Sequence, residues 1–234
     1  MVLFCNRSKF PPMFRLPAAF IIPLAAFLAQ VRADNPLLGH LDGGIYVSPT
    51  GVFQVPVPVL PDLGGSISDT QNVVTFRDNF STHISIAVFP QDATQRWLLS
   101  TMTVKEYLKD FFEKYVLRDF TQSYKNVEVE TSARFLPGVF DGAFIAYVLL
   151  PGGSMFVDRI ERVSPDKPPP VAKRGNMIFV KNGYIFIISI ELAERVTEGS
   201  TYHKTLDEED KILRERLIDS ANKIQFLKPP AASK

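Results

Sequence analysis

Asn182-Gly183 lies between two mainly apolar runs, Met177 to Lys181 and Tyr184 to Glu191, and no other feature of the chain narrows the fold as much. Both positions tolerate positive φ, so the dipeptide predicts a two-residue turn joining the runs as an antiparallel hairpin. Ile185 to Ile190 is apolar almost without a break, which predicts a central strand covered on both faces. Something must then pack on each side of the sheet.

Helical periodicity supplies candidates for those layers. Thr103 and Glu106 fit the reciprocal capping box, and Val104, Tyr107, Leu108, Phe111, Phe112, Tyr115, Val116 and Phe120 follow at spacings of three and four. Lys105, Lys109, Asp110, Glu113 and Lys114 fill the other side as a solvated face. A second box, Thr205 with Glu208, opens a helix whose predicted buried stripe is Leu206, Leu213, Leu217, Ala221 and Ile224. The acidic run Asp207 to Asp210 falls in its first turn, where the helix dipole favours negative charge.

Short β-type runs precede the first helix: Ile45 to Ser48, Val52 to Val59, Ser66 to Thr70, Val73 to Arg77 and His83 to Phe89. In the last of these His83, Ser85 and Ala87 alternate with Ile84, Ile86 and Val88, predicting one buried and one wet face. Further strands are expected over Val127 to Phe135, Phe140 to Leu150 and Ser154 to Val163, with Pro151-Gly152-Gly153 as a turn. Ser164 to Gly175, with Pro165 and Pro168 to Pro170, reads as an extended polyproline-type spacer.

Residues 1–33 look like an export signal. Arg7, Lys9 and Arg15 precede the uncharged run Leu16 to Ala29, and Val31-Arg32-Ala33 offers small residues at a peptidase spacing, with cleavage expected after Ala33. The run holds 14 residues and spans about 21 Å as a helix, short of a hydrocarbon core of about 30 Å. An uncleaved anchor is the rival reading and would be the only link to a membrane. The lone cysteine, Cys5, precedes the run, so it fits no lipid-anchor site and leaves no disulfide for the mature chain. Residues 34–44 are expected to form a flexible lead-in, 45–227 a single α+β domain and 228–234 a disordered tail.

Charge excludes one class of partner. Four of the 26 Lys and Arg residues and none of the 25 Asp and Glu residues fall in the leader, leaving the remainder at net −3, against nucleic acid. No Gly-x-Ser-x-Gly elbow is present, and Ser66 and Ser154 follow glycine pairs as turn residues. His40, His83 and His203 are read as surface histidines. His40 with Asp42, near Asp34, is the one local group of metal-type ligands and lies on the lead-in. Gly64-Gly65 and Gly152-Gly153 lack the lysine or following helix of a phosphate loop. Asn79-Phe80-Ser81 matches a glycan acceptor. Asp158, Arg159, Glu161 and Arg162, and Arg77 with Asp78, are read as cross-strand ion pairs on a wet sheet face. No catalytic, cofactor-binding or metal residue is therefore assigned.

The segment from Tyr46 through Ser48-Pro49-Thr50-Gly51-Val52-Phe53 to Pro56 resembles the opening of PsbP-like domains, where a turn glycine and an aromatic lead a strand that ends at proline. The order that follows is similar too: a β-meander, a helix at Thr103 to Phe120, a strand series with a hairpin, and a closing helix before Ile224-Gln225-Phe226. The resemblance covers residues 45 to 227. It implies an antiparallel β-sheet with helices packed on it, an α-β-α sandwich, and a binding or assembly role in an extracytoplasmic compartment. No residue matches the metal positions proposed in some members. The expected function is an exported, non-catalytic domain, periplasmic or secreted, that binds a protein or small ligand. The alternative is a hydrolase or other enzyme whose site is assembled from distant strands. Protein recovered from an exported fraction should begin at or beside Asp34 by intact mass; a full-length chain held in membranes would favour the anchor.

Overall fold

A computed structural model of the chain describes residues 32–33, 36–156 and 168–227. The leader up to residue 31, the charged group Asp158 to Arg162 and the segment from 228 onward lie outside the described residues. At the centre is the hairpin of β11 (Val171–Lys181) and β12 (Tyr184–Glu191). Asn182 and Gly183 join them with φ of 52° and 79°, and Lys181 pairs directly with Tyr184. Positive φ at both positions matches the twist of the flanking strands, which is why this dipeptide sets the register.

The main sheet builds outward from the hairpin. On one side β12 pairs with β7 (His83–Pro90), then β6 (Val73–Arg77) and β5 (Ser66–Asp69), all antiparallel. The short β1 (Arg32–Ala33) adds to that edge in parallel. On the other side β11 pairs with β10 (Ala143–Pro151), which meets β8 (Glu128–Val129) and β9 (Arg134–Leu136). A smaller sheet holds β2 (His40–Asp42), β3 (Ile45–Val47), β4 (Phe53–Pro56) and β13 (Gln225–Phe226).

Each face of the main sheet carries its own core. On one, Phe186 and Phe179 stack at 5.2 Å beneath the small sheet, and after the short α4 (Glu194–Thr197) Leu213, Leu217 and Ala221 of α5 (Leu206–Asn222) complete the layer. Gly175 of β11 lets α5 approach closely, since a Cβ there would lie 3.0 Å from Leu217 and 3.2 Å from Leu213. On the opposite face, α1 (Ala93–Thr101) leads into a continuous helix: α2 (Val104–Phe111), a π-helical turn over Phe112–Leu117, and α3 (Arg118–Ser123). Tyr107, Leu108, Phe112 and Phe120 from this helix pack on Phe144, Ile178 and Ile185. The α-β-α sandwich expected from the sequence is thus the architecture of the chain.

Several expectations are corrected. The spacer over Ser164 to Gly175 ends early: β11 starts at Val171, because Val171 to Gly175 pair in register with Pro151 to Tyr147 of β10. Ser154 to Phe156, expected to begin a strand, form a turn instead, held by hydrogen bonds from Ser154 Oγ (2.6 Å) and the Met155 amide (3.0 Å) to Glu191. Tyr115 and Leu206, placed in the buried stripes, are exposed. The π turn adds a residue to the helical repeat and rotates Tyr115 outward. Helix α1 was not foreseen, although Asp92 and Gln95 close a reciprocal capping box at its start. Within the expected lead-in, β2 pairs with β3, and the Leu38 and Gly39 amides donate to Asp69. Replacing Phe112 with Ala should lower stability by about 3–5 kcal/mol and Lys109→Ala by less than about 0.5 kcal/mol, read from urea midpoints.

Candidate ligand groove

Alternation along the strands sends Arg174, Asn176 and Ile178 of β11 to the α2 face. Cross-strand pairing extends each of them into a row. Arg174 pairs with Glu191, and beyond Ile190, which pairs with Ile84, the same register brings His83 beside Glu191; His83 pairs in turn with Arg77. The next row is Asn176, Ser189, Ser85 and Thr75, joined by Ser189 Oγ donating to Asn176 (2.6 Å) and a Thr75–Ser85 hydroxyl contact of 3.0 Å. The third is Ile178, Ile187, Ala87 and Val73. The face therefore grades from charged through hydroxylic to apolar.

The long helix covers only part of this face. Between the helix and strands β6, β7 and β12 lies a cavity of about 670 Å³, within the range of small-molecule sites. Phe111, Tyr115, Val116 and Phe120 form its wall, with the Phe111 and Tyr115 rings 4.7 Å apart. Ser85, Ala87, Ile187 and Ser189 form the floor, Asp92, Gln95 and Asp119 line it as well, and Arg174 borders it from the charged row.

Arg174 is only 9% exposed, yet its donors are incompletely used. Nη2 donates to the Gly153 carbonyl at 3.0 Å and stands 3.6 Å from Glu191, outside hydrogen-bond range. Glu191 takes its hydrogen bonds from Ser154 and Met155 instead. The Arg174 guanidinium lies 5.8 Å from the centre of the Phe120 ring, and its Nε is buried without a partner among the described residues. His83, expected at the surface, is 5% exposed with an unpartnered Nδ1. Burial first, then the positive charges of Arg174 and Arg77, push its pKa down to about 3, so it is neutral near pH 7.

Lys173, the neighbour of Arg174, points to the other face and is fully enclosed. Its ammonium lies 2.7 Å from Glu130, 2.7 Å from Asp210 and 3.2 Å from Glu209, while Arg195 reaches Glu209 at 2.5 Å. Burial alone would lower its pKa, but hydrogen bonds to Asp210 and Glu130 outweigh that and raise it. Glu209 and Asp210 thus turn inward from the acidic run that the helix dipole accounted for in the sequence. This cluster ties α5 to β11.

The remaining sequence candidates stay apart. His40 and Asp42 are exposed on β2, and His203 is exposed before α5. Asp78 accepts the amides of Phe80, Ser81 and Thr82, so it shapes the β6–β7 turn that contains Asn79, and Arg77 Nε donates to Ser66. His83 also borders a second cavity of about 290 Å³ with Ser81 and Asp219, but no hydrogen bond among the described residues joins it to either. The groove itself escaped sequence reasoning. The available signal was the placement of Ser85 and Ser189 within otherwise apolar strands, together with adjacent Lys173 and Arg174.

No family model and no curated protein matches the chain. Among solved structures it is similar to cyanobacterial PsbP (CyanoP) from Synechocystis sp. PCC 6803, at 15% identity and a TM-score of 0.45 over 81% of this chain and 99% of that one. It is also similar to a protein from Bacteroides thetaiotaomicron VPI-5482, at 9% identity and a TM-score of 0.38 over 80% of this chain. The chain spans half the length of that second protein. The PsbP-like resemblance read from the sequence therefore has a weak structural counterpart.

The burial of neutral His83 has a pH consequence. With a folded pKa near 3 against 6.5 when unfolded, its contribution is fully present above pH 6.5 and is lost as pH falls through about 3. The urea midpoint of His83→Gln should therefore fall less than that of the unsubstituted chain between pH 7.5 and pH 4.5. Equal slopes would show that His83 is not held neutral.

Proposed function

We propose that the protein is a non-catalytic binding domain that works outside the cytoplasm and seats a small ligand in the groove between the α2–α3 helix and the sheet. The observation that carries this reading is the groove itself: an aromatic wall facing hydroxyl groups, with a buried guanidinium whose donors are not all used among the described residues. Binding sites combine mainly apolar lining with a few convergent polar groups in this way.

A catalytic reading finds less support. A general base needs a pKa near the working pH and a hydrogen bond to the group it activates. His83 has neither, and His203 is exposed in the loop before α5.

Export is supported by the leader's positive start, apolar run and small-residue ending; cleavage after Ala33 would take β1 from the edge of the sheet and leave the other strands in place. No helix among the described residues is long and apolar enough to cross a membrane.

Ala87→Trp tests the groove, since Ala87 lies on its floor and is not part of either buried core. The unsubstituted protein should enhance the fluorescence of anilinonaphthalene sulfonate, and the variant should lose that enhancement while keeping a cooperative thermal transition. An unchanged titration in a folded variant would move the ligand site elsewhere.

A further inference from the structure

The chemistry of the groove narrows its ligand, given that it is the binding site. We propose that it takes an elongated apolar monocarboxylate, with the carboxylate on Arg174 and the tail along the Phe111–Tyr115 wall.

The head-group assignment rests on Arg174. A guanidinium carries five N–H donors in a planar fork that matches a carboxylate. Among the described residues one donor is given to Gly153, the nearest carboxylate stands 3.6 Å away with its own hydrogen bonds met by Ser154 and Met155, and Nε is buried without a partner. Burial first, and then the charge of Arg174, keep the neighbouring His83 uncharged.

The rest of the lining sets the remainder of the molecule. Asp92 and Asp119 border the same cavity and are exposed, so a second negative charge on the ligand would meet repulsion. A monoanion fits better than a phosphate. Away from Arg174 the floor passes from Ser85 and Ser189 to Ala87 and Ile187 and then to Phe89. From Ser85 to Phe89 the strand advances about 13 Å at ~3.3 Å per residue, enough for an extended hydrocarbon tail.

Calorimetric titration of the exported chain with decanoate, decanol and decylammonium tests this directly. Decanoate should bind about tenfold or more tighter than either of the others, the factor a charge-assisted hydrogen bond supplies. Arg174→Gln should bring the three to similar affinity, Arg174→Lys should restore part of the preference, and Ala87→Trp should remove binding of all three. On the unsubstituted protein, decanoate should also shift the Arg174 Nε–H resonance, a readout that stands even if Arg174→Gln does not fold. If decanol binds as tightly as decanoate, or the preference survives Arg174→Gln, the head-group assignment is wrong while the groove remains the site. If none of the probes binds, or binding survives Ala87→Trp, the groove reading fails and the ligand class fails with it.

Discussion

Side chains on a strand point alternately to its two faces, and on β11 this sends two adjacent cations in opposite directions. Lys173 goes to the α5 face and Arg174 to the α2 face, and both are buried. A buried charge persists only where partners offset its desolvation, so each cation needs its own polar environment. Lys173 recruits carboxylates from two distant segments, Glu130 beside β8 and Glu209 with Asp210 on α5. Arg174 recruits Glu191 across the hairpin and the carbonyl of Gly153. The placement of α5, the turn after β10 and the polar end of the sheet all depend on these contacts.

The two environments differ in charge balance. Around Lys173 three carboxylates and Arg195 converge, and the Tyr147 ring lies 5.4 Å from the ammonium. Glu130 has its pKa raised by burial and by neighbouring Asp210, against the opposing pull of Lys173. Such a cluster fixes the position of α5 against the sheet. Around Arg174 one carboxylate stands outside hydrogen-bond range, a donor lacks a partner among the described residues, and a cavity lies alongside. An unpartnered polar group beside a cavity marks a place where something can bind.

The helix on the α2 face contributes through what it leaves uncovered. Its π turn over Phe112–Leu117 turns Tyr115 out of the core and against Phe111. The aromatic pair becomes a wall of the groove, and the hydroxylic row of Ser85 and Ser189 remains open beneath it.

Local chemistry alone determined a good deal. Asn182-Gly183 dictated the central hairpin because only residues tolerant of positive φ fit its turn. The boxes at Thr103 and Thr205 marked two helix starts because hydroxyl and carboxylate side chains satisfy free amides within one turn. The near-continuous apolar run of β12 announced a strand covered on both sides, and from that the sandwich. These signals act within a few residues, so they can be read along the chain. What only the tertiary structure decided was the partnership of Lys173 with carboxylates up to 43 residues away in sequence and of Arg174 with Gly153 and Glu191. The proline run before them suggested a spacer, and nothing local contradicted it. Burial, register and the approach of α5 over Gly175 are long-range properties, and the groove exists only because rows from β6, β7, β12 and β11 are brought side by side.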